Sequence, residues 1–392
     1  MIKAGFAGSG FAAGFHYESI QSSGLSFVEP HGVFSKTPEN RNRFADQRGL
    51  TAYDSLESLL DNVDVVHVCV PAALHETVAI KALERNVHLI LEKPFTGYFG
   101  PADGPGAGEF RGNEFPKEEM KRGALESARR IVEAERSSEA NIYYAENWVY
   151  APVIQKEAEI IRKTKAQILW MIAEESHSGS HSPAYGVWKL AGGGSLMGKG
   201  CHPLTAVLYL KQIEGIARDG RPIRPKAVSS RVHELTRIPG YQDHGHIRTD
   251  YDDVEDWGLM HVVFDDGTIA DVFSSEIVLG GVHNWIEVFA TNHRTRCNIN
   301  PVDAVQTYNP DESQFDDVYV VEKIGTKQGW SNPAPDENWM SGYVQEIRSF
   351  YQSIEKGELP LSYSDLGYDT VDVIYSAYLS AERGGAEVDV GE

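Results

Sequence analysis

The stretch Val87 to Pro94, VHLILEKP, ends a run of apolar residues on a carboxylate, an amine and a proline in succession: Glu92, Lys93 and Pro94. Val87, Leu89, Ile90 and Leu91 read as a strand buried on both faces. Ligands of open α/β sheets bind outside the carboxyl ends of the strands, so charge at that end marks a site. The alternative is a surface lysine beside a helix-starting proline. A second concentration of reactive types lies in GGGSLMGKGCHP, where Lys199 stands three residues before His202; on the first turn of a helix the two would share a face. His177 and His181 follow Glu174 and Glu175. With His202 they have the types of metal ligands, but HSGSH reads as a flexible segment, so polar lining of a pocket is expected and no metal. Trp188 suits either stacking on a ligand ring or the core.

The elements that must position these groups begin at the N-terminus. Residues 2 to 8 read as a strand leading into Gly8, Ser9, Gly10, Phe11, Ala12 and Ala13, a G-x-G-x-x-A pattern that opens a helix to about Ser22. Gly8 allows the tight turn, Gly10 lets the backbone approach a pyrophosphate, and Ala13 lets the helix lie close to the strand. The second strand, Phe27 to Phe34, ends in Ser35, Lys36 and Thr37. An acidic residue there would hold the ribose hydroxyl of NAD, whereas hydroxyl and basic side chains suit the 2′-phosphate of NADP, so the cofactor expected is NAD or NADP. Otherwise Lys36 is a solvated charge ahead of the helix begun by Pro38 and Glu39. Asp64 to Val70 is a third strand, stopped by Pro71, Ala73 to Arg85 is helical by spacing, and VHLILEKP is the fourth strand. This alternation implies a parallel sheet covered on both faces, a Rossmann dinucleotide-binding fold.

Beyond Pro94, Thr96 to Phe115 is too rich in Gly and Pro for helix or strand to persist. It reads as an inserted loop acting as a lid, an oligomer contact or a tolerated insertion. Lys117 to Arg136 is a helix and Asn141 to Glu146 the last strand of the first domain. AENWVYAP, from Ala145, is the crossing into the second, which places the domains at 1–148, with the insertion at 96–116, and 149–392. There Val153 to Lys163 is helical, and AQILWMIAEESH, AVSSRVHEL, DWGLMHVVF, TIADVFSS and WIEVFAT are strand-like. Asp265-Asp266-Gly267 marks a hairpin turn and Gly280-Gly281 a further turn. Asp250 to Asp256 reads as a solvated hairpin mouth. Two helices, Glu337 to Glu355 and Ser364 to Arg383, close the chain.

The 392 residues suffice for two domains with proper cores, and 36 basic against 57 acidic side chains leave a formal charge of -21. That balance argues against nucleic acid or an anionic membrane as a partner. No apolar run is long enough to cross a bilayer and no leader pattern opens the chain, so a cytoplasmic location is expected. Cys69, Cys201 and Cys297 are scattered, which suggests neither a disulfide framework nor a zinc knuckle.

The GSGFAA turn, the run VCVPAALHETVAIKALERNVHLILEKP with Pro71, His75 and Glu92-Lys93-Pro94, and the segment GGGSLMGKGCH together resemble the Gfo/Idh/MocA oxidoreductases. The resemblance spans nearly the whole chain. It implies an α/β Rossmann domain followed by an α+β domain with a large open, mostly antiparallel sheet that commonly builds a homodimer or homotetramer. It further implies cofactor contacts from the glycine turn, Pro71, His75 and Glu92. In the family the lysine of EKP points at the reacting hydroxyl, and its bond to proline is often cis, a bend that would aim Lys93 into the cleft. Asn147, Trp148 and Tyr150 sit where the family chain passes the nicotinamide, although the usual basic residue is absent. His202 corresponds to an acid and base that relatives pair with an Asp four residues earlier; here that position is Gly198.

The departure at Gly198 makes Lys199 a candidate replacement of another kind. A second ammonium near Lys93 would lower both pKa values and suit a carbohydrate or cyclitol carrying a carboxylate, phosphate or sulfonate; the alternative is a solvent-exposed loop lysine. The reaction expected is hydride transfer between nicotinamide and a secondary hydroxyl of a sugar, sugar derivative, glycoside or cyclitol, with Lys93, His202 and Lys199 at the centre. Redox-assisted glycoside cleavage through the same site and a nucleotide-gated sensor without turnover are the two other readings.

Overall fold

Six parallel strands organise the first part of the molecule: β1 (Ile2–Ala7), β2 (Val28–Phe34), β3 (Thr51–Ala52), β4 (Val65–Val68), β5 (His88–Glu92) and β6 (Ile142–Ala145). The computed structural model describes residues 1–101 and 110–391, and its chain divides into two units. The first comprises Met1–Tyr98, Arg122–Asn147 and Gly342–Val371; the second comprises Phe99–Lys121, Trp148–Ser341 and Asp372–Glu392.

In the first unit the strand order is β3-β2-β1-β4-β5-β6, with every neighbouring pair parallel. This is the doubly wound Rossmann order. The apolar runs account for it: Val65, Val66, Leu89, Ile90, Leu91 and Ile142 are fully buried, as strands covered on both faces must be. The strand carrying Glu92 is the fifth rather than the fourth, because Thr51 and Ala52 pair with Gly32 and Val33. Two residues at a sheet edge leave no periodicity to read. The helix expected from Ala73 starts as a 3-10 turn, Ala72–Leu74, behind Pro71, and is α-helical over His75–Leu83. The expected helix from Glu337 to Glu355 is broken into Glu337–Met340 and Tyr343–Lys356. Gly342 between them has φ +93°, a left-handed backbone that ends a helix. Within the first unit Tyr343 packs edge-on against Phe15 at 4.4 Å and Arg348 Nε donates to the Ser23 carbonyl at 3.0 Å.

The second unit holds β7 (Ile168–Ser176), β8 (Pro225–His233), β9 (Trp257–Phe264), β10 (Ile269–Ser275), β11 (His283–Ala290), β12 (Arg294–Asn300), a separate ribbon of β13 (Thr307–Asn309) and β14 (Gly329–Ser331), and β15 (Val388–Asp389). The main sheet runs β12-β11-β7-β10-β9-β8-β15 and is antiparallel except between β7 and β10. Its inner face is buried at Met260, Val262, Phe264, Ala270 and Val272, while Trp257, Leu259 and Phe273 on the other face are half-buried. Helix Cys201–Asp219 packs on β7, β10 and β11. The Asp265-Asp266-Gly267 turn joins β9 to β10 as expected, whereas β12 to β15 were not legible: they are short or alternate polar with polar side chains.

Of the Gly/Pro-rich insertion, residues 102–109, on which the lid reading falls, lie outside the described residues. Its end is fastened within the second unit. Gly112 N donates to Asp253 Oδ2 at 2.6 Å, Arg111 pairs with Asp252 at 3.1 Å, and Lys117 Nζ donates to the carbonyls of Gly112, Asn113 and Phe115.

Candidate active site

The carboxyl ends of β1, β4 and β5 lie side by side because these strands are consecutive in the sheet. After β1 the chain turns at Gly8, whose φ is +118° and where a Cβ would lie 2.3 Å from the carbonyl oxygen of Cys69; only glycine meets both conditions. Gly10 begins helix Phe11–Ser23 without a side-chain hydrogen bond to the helix amides, and a Cβ on it would meet no atom within 4 Å. Unclaimed N-terminal amides beneath open space fit a dinucleotide pyrophosphate. Phe11 is exposed and Ala12 half-buried beside it. Ser9 Oγ donates to Ser35 Oγ at 2.8 Å, tying the turn to the end of β2, and Lys36 is exposed beyond. Helix Pro38–Arg48 contributes Asn40, Arg43 and Arg48 to a cavity of about 270 Å³ whose wall includes Ser9, Gly10 and Phe11. These two arginines carry no mark in the sequence, since their spacing is that of any charged helix.

At the end of β5 the Lys93–Pro94 peptide is cis. Lys93 N donates to Glu92 Oε2 at 3.0 Å, and Glu92 Oε1 lies 2.8 Å from His16 Nε2. Burial works against ionisation of Glu92, but His16, Lys93 and His75 outweigh it and hold the carboxyl below its ordinary range. His75 is buried, with Nδ1 2.9 Å from the Pro94 carbonyl and Nε2 3.1 Å from that of Val70. Burial lowers its pKa, so the neutral ring donates to one of these carbonyls at a time. His75, expected as a cofactor contact, is instead a brace for the chain on either side of the site: both ring nitrogens face main-chain oxygens. Pro71 is exposed and caps the 3-10 turn. Asn147 ends the Arg122–Asn147 segment of the first unit, and Trp148 and Tyr150 belong to the second.

In the second unit the expectation for Lys199 needs correction. It closes the turn Ser195–Gly198, while His202 belongs to the next helix, Cys201–Asp219, so no single helix face relates them. Lys199 is neither solvent-exposed nor an uncompensated cation. Its ammonium pairs with Glu276 and lies 3.1 Å from Ser180 Oγ. Lys199 and Glu276 are both buried. His202 stacks on Trp148, rings 6.3 Å apart at 17°. His177 Nδ1 accepts from Gly179 N at 3.1 Å, so it shapes the loop that carries Ser180. His181 is exposed on the rim of a cavity of about 310 Å³ that Ser180, Arg248 and Lys323 also line. Trp188 is core rather than a stacking platform: Tyr378 lies 4.7 Å from its ring, Gly112 packs against it, and Lys117 Nζ is 5.6 Å away.

The acidic run is solvated only in part: Asp250 and Asp252 are exposed, but the rest of it is not. Asp253, Glu255 and Asp256 are buried, and each carboxylate accepts from backbone amides. Asp253 accepts from Gly112 and Trp188, Glu255 from Gly194 and Leu196 at the start of the glycine-rich turn, and Asp256 from Leu235 and Thr236. Among the described residues, no helix is long and apolar enough to cross a membrane.

Residues 2–103 match the oxidoreductase family GFO_IDH_MocA, described as having an NAD-binding Rossmann fold. Over 95 residues the chain is 30% identical to UDP-N-acetylglucosamine 3-dehydrogenase of Acidithiobacillus ferrooxidans, a span covering 24% of this chain and 29% of that protein. The whole chain superposes on the crystal structure of GenD2 from gentamicin A biosynthesis in complex with NAD, with TM-score 0.78, 22% identity, and 100% of this chain and 97% of that one covered. Myo-inositol 2-dehydrogenase from Lactobacillus plantarum gives TM-score 0.72 at 15% identity, covering 99% of each chain. At such identities these two likenesses establish a shared fold. The resemblance read from the sequence is borne out: residues 2–103 are an NAD-binding Rossmann domain of the Gfo/Idh/MocA oxidoreductase family.

Proposed function

We propose that the protein is an NAD(P)-dependent dehydrogenase acting on a secondary hydroxyl of a sugar, sugar derivative or cyclitol. The observation that carries this reading lies in the first unit. A lysine stands at the carboxyl end of β5, with its turn braced by Glu92 and His75, in the same sheet as the uncapped glycine turn after β1. The bound nicotinamide would supply the hydride acceptor. Gly8 and Gly10 leave room for the pyrophosphate, and Ser35, Lys36 and the nearby arginines suit a 2′-phosphate. Lys93 is proposed to hold or relay the hydroxyl proton, and His202, stacked on Trp148 and without the family Asp, is the second candidate acid and base. The half-buried sheet face around Trp257, Leu259 and Phe273 is where a homodimer or homotetramer would form.

The test is to incubate the purified protein with NAD or NADP and a panel of sugars and cyclitols and follow the absorbance of reduced nicotinamide. Turnover that Lys93→Ala and His202→Ala each reduce by about a hundredfold or more supports the assignment. An unimpaired Lys93→Ala rejects it. Release of an aglycone with catalytic cofactor and no net reduction would point instead to redox-assisted glycoside cleavage.

A further inference from the structure

Beneath the Glu92–Lys93 turn the first unit buries a continuous line of polar side chains that hydride transfer does not itself require. Glu92 Oε1 lies 2.8 Å from His16 Nε2, His16 Nδ1 lies 2.8 Å from His67 Nδ1, and His67 Nε2 lies 2.7 Å from the Tyr351 hydroxyl. The four residues come from β5, the helix behind the glycine turn, β4 and helix Tyr343–Lys356. Every ring nitrogen is engaged, and two facing nitrogens need one proton between them; with Glu92 ionised and His67 uncharged, two arrangements satisfy the line. In one, both rings are neutral and Tyr351 donates to His67, His67 to His16, and His16 to Glu92. In the other, His16 is an imidazolium that donates on both sides, and His67 keeps its proton on Nε2, toward Tyr351.

The surroundings decide between them. Burial opposes charge on His16, but its Nε2 lies 2.8 Å from the Glu92 carboxylate and its Nδ1 faces a ring nitrogen able to accept, so an imidazolium there finds an acceptor on each side. Cys69 is itself pushed up by burial and stays a thiol at neutral pH, so the carboxylate of Glu92 is the charge that matters. Burial and the charge of His16 push His67 well below its ordinary value. Glu346, from helix Tyr343–Lys356 and close to Glu146, is driven well up by burial and is neutral there. Lys93 and His75 face Glu92 and favour its ionised form.

We propose that His16 is a positioning residue for Lys93: an imidazolium that donates to His67 on one side and to Glu92 on the other, fixing the carboxylate that receives the Lys93 amide. This rests on Lys93 being the proton-handling group proposed above. One buried ion pair then holds the helix of the glycine turn and the lysine turn in a single arrangement, and keeps Glu92 ionised below neutral pH.

Two measurements test it. In protein labelled with ¹⁵N-histidine and free of substrate, one ring should remain protonated on both nitrogens at about pH 8, and its neighbour should be neutral with the proton on Nε2. The His16→Gln and His67→Gln variants assign them. A neutral His16 paired with a His67 protonated on Nδ1 overturns the proposal. In turnover assays His16→Gln should lower kcat about tenfold or more, change the cofactor KM by less than about threefold, and move the acid limb of kcat/KM upward by about one pH unit, as Glu92 loses its cation. A wild-type kcat and pH profile in that variant overturns it. The ring-nitrogen pattern is read without turnover, so a failure of the Lys93 assignment is told apart from a failure here.

Discussion

Lys199 and Glu276 form a buried ion pair in the second unit, each side chain 2% exposed. Glu276 also accepts from Ser180 N at 2.8 Å. Burial alone would raise its pKa, but Lys199 outweighs it, and the carboxyl stays below its ordinary value. The lysine beside Gly198 is therefore committed to the scaffold of the 176–180 loop. Removing one partner leaves the other charged and buried, so Glu276→Gln should cost about 3–5 kcal/mol in urea unfolding. The double change Lys199→Met, Glu276→Leu should cost markedly less. Equal losses in the two would show that the pair carries no charge coupling.

Two glycines of the same turn should separate folding from binding. Gly8→Ala places a Cβ 2.3 Å from the Cys69 carbonyl at φ +118°, so it should destabilise the first unit by about 2 kcal/mol or more. A Cβ on Gly10 meets no atom within 4 Å beyond its chain neighbours, so Gly10→Val should unfold within about 1 kcal/mol of wild type. It should nonetheless weaken cofactor binding at least about tenfold, because the added carbons occupy the space left for the pyrophosphate. Thermal unfolding and cofactor titration by fluorescence read the two effects.

The stability that Glu255 contributes should fall as pH rises toward neutrality. Burial pushes the Glu255 carboxyl up to about 7, so the folded protein retains a proton that the unfolded chain releases near its ordinary value. The contribution is complete below that ordinary value and is lost by the time pH passes about 7, a change on the order of 3 kcal/mol. Glu135, Glu346 and Asp372, also raised by burial, act in the same direction. Unfolding curves between about pH 5 and pH 8 should show the wild type losing midpoint relative to Glu255→Gln as pH rises. A difference between the two proteins that does not change with pH would contradict this.

The end of β2 carries hydroxyl and basic groups, with Ser35 held by Ser9 at 2.8 Å. Ser35→Asp should turn preference toward NAD by about tenfold or more, measured as the ratio of the two dissociation constants, since a carboxylate accepts from the ribose hydroxyl and repels a 2′-phosphate. An unchanged ratio would remove Ser35 from the adenosine end of the site.

Local patterns made the first unit legible. Apolar runs closed by Gly8, Pro71 and Pro94 dictate buried parallel strands, and the glycine turn after β1 dictates an anion-binding helix start, because backbone conformation and period are properties of neighbouring residues. Lys93 could be singled out for the same reason: it directly ends such a strand. The roles of His16 and His67 could not, since a histidine inside a helix or a strand carries no mark of a partner 51 residues away.

By itself, then, the sequence determined a Rossmann sheet with its glycine turn and a lysine at the mouth of β5. Only the tertiary structure decided where charge is cancelled. Lys199 meets Glu276, Glu255 caps Gly194 and Leu196, and Trp188 is covered by Tyr378. Those pairings join residues 59 to 190 positions apart, and the energy of a buried charge depends on what surrounds it in space, which no local pattern encodes.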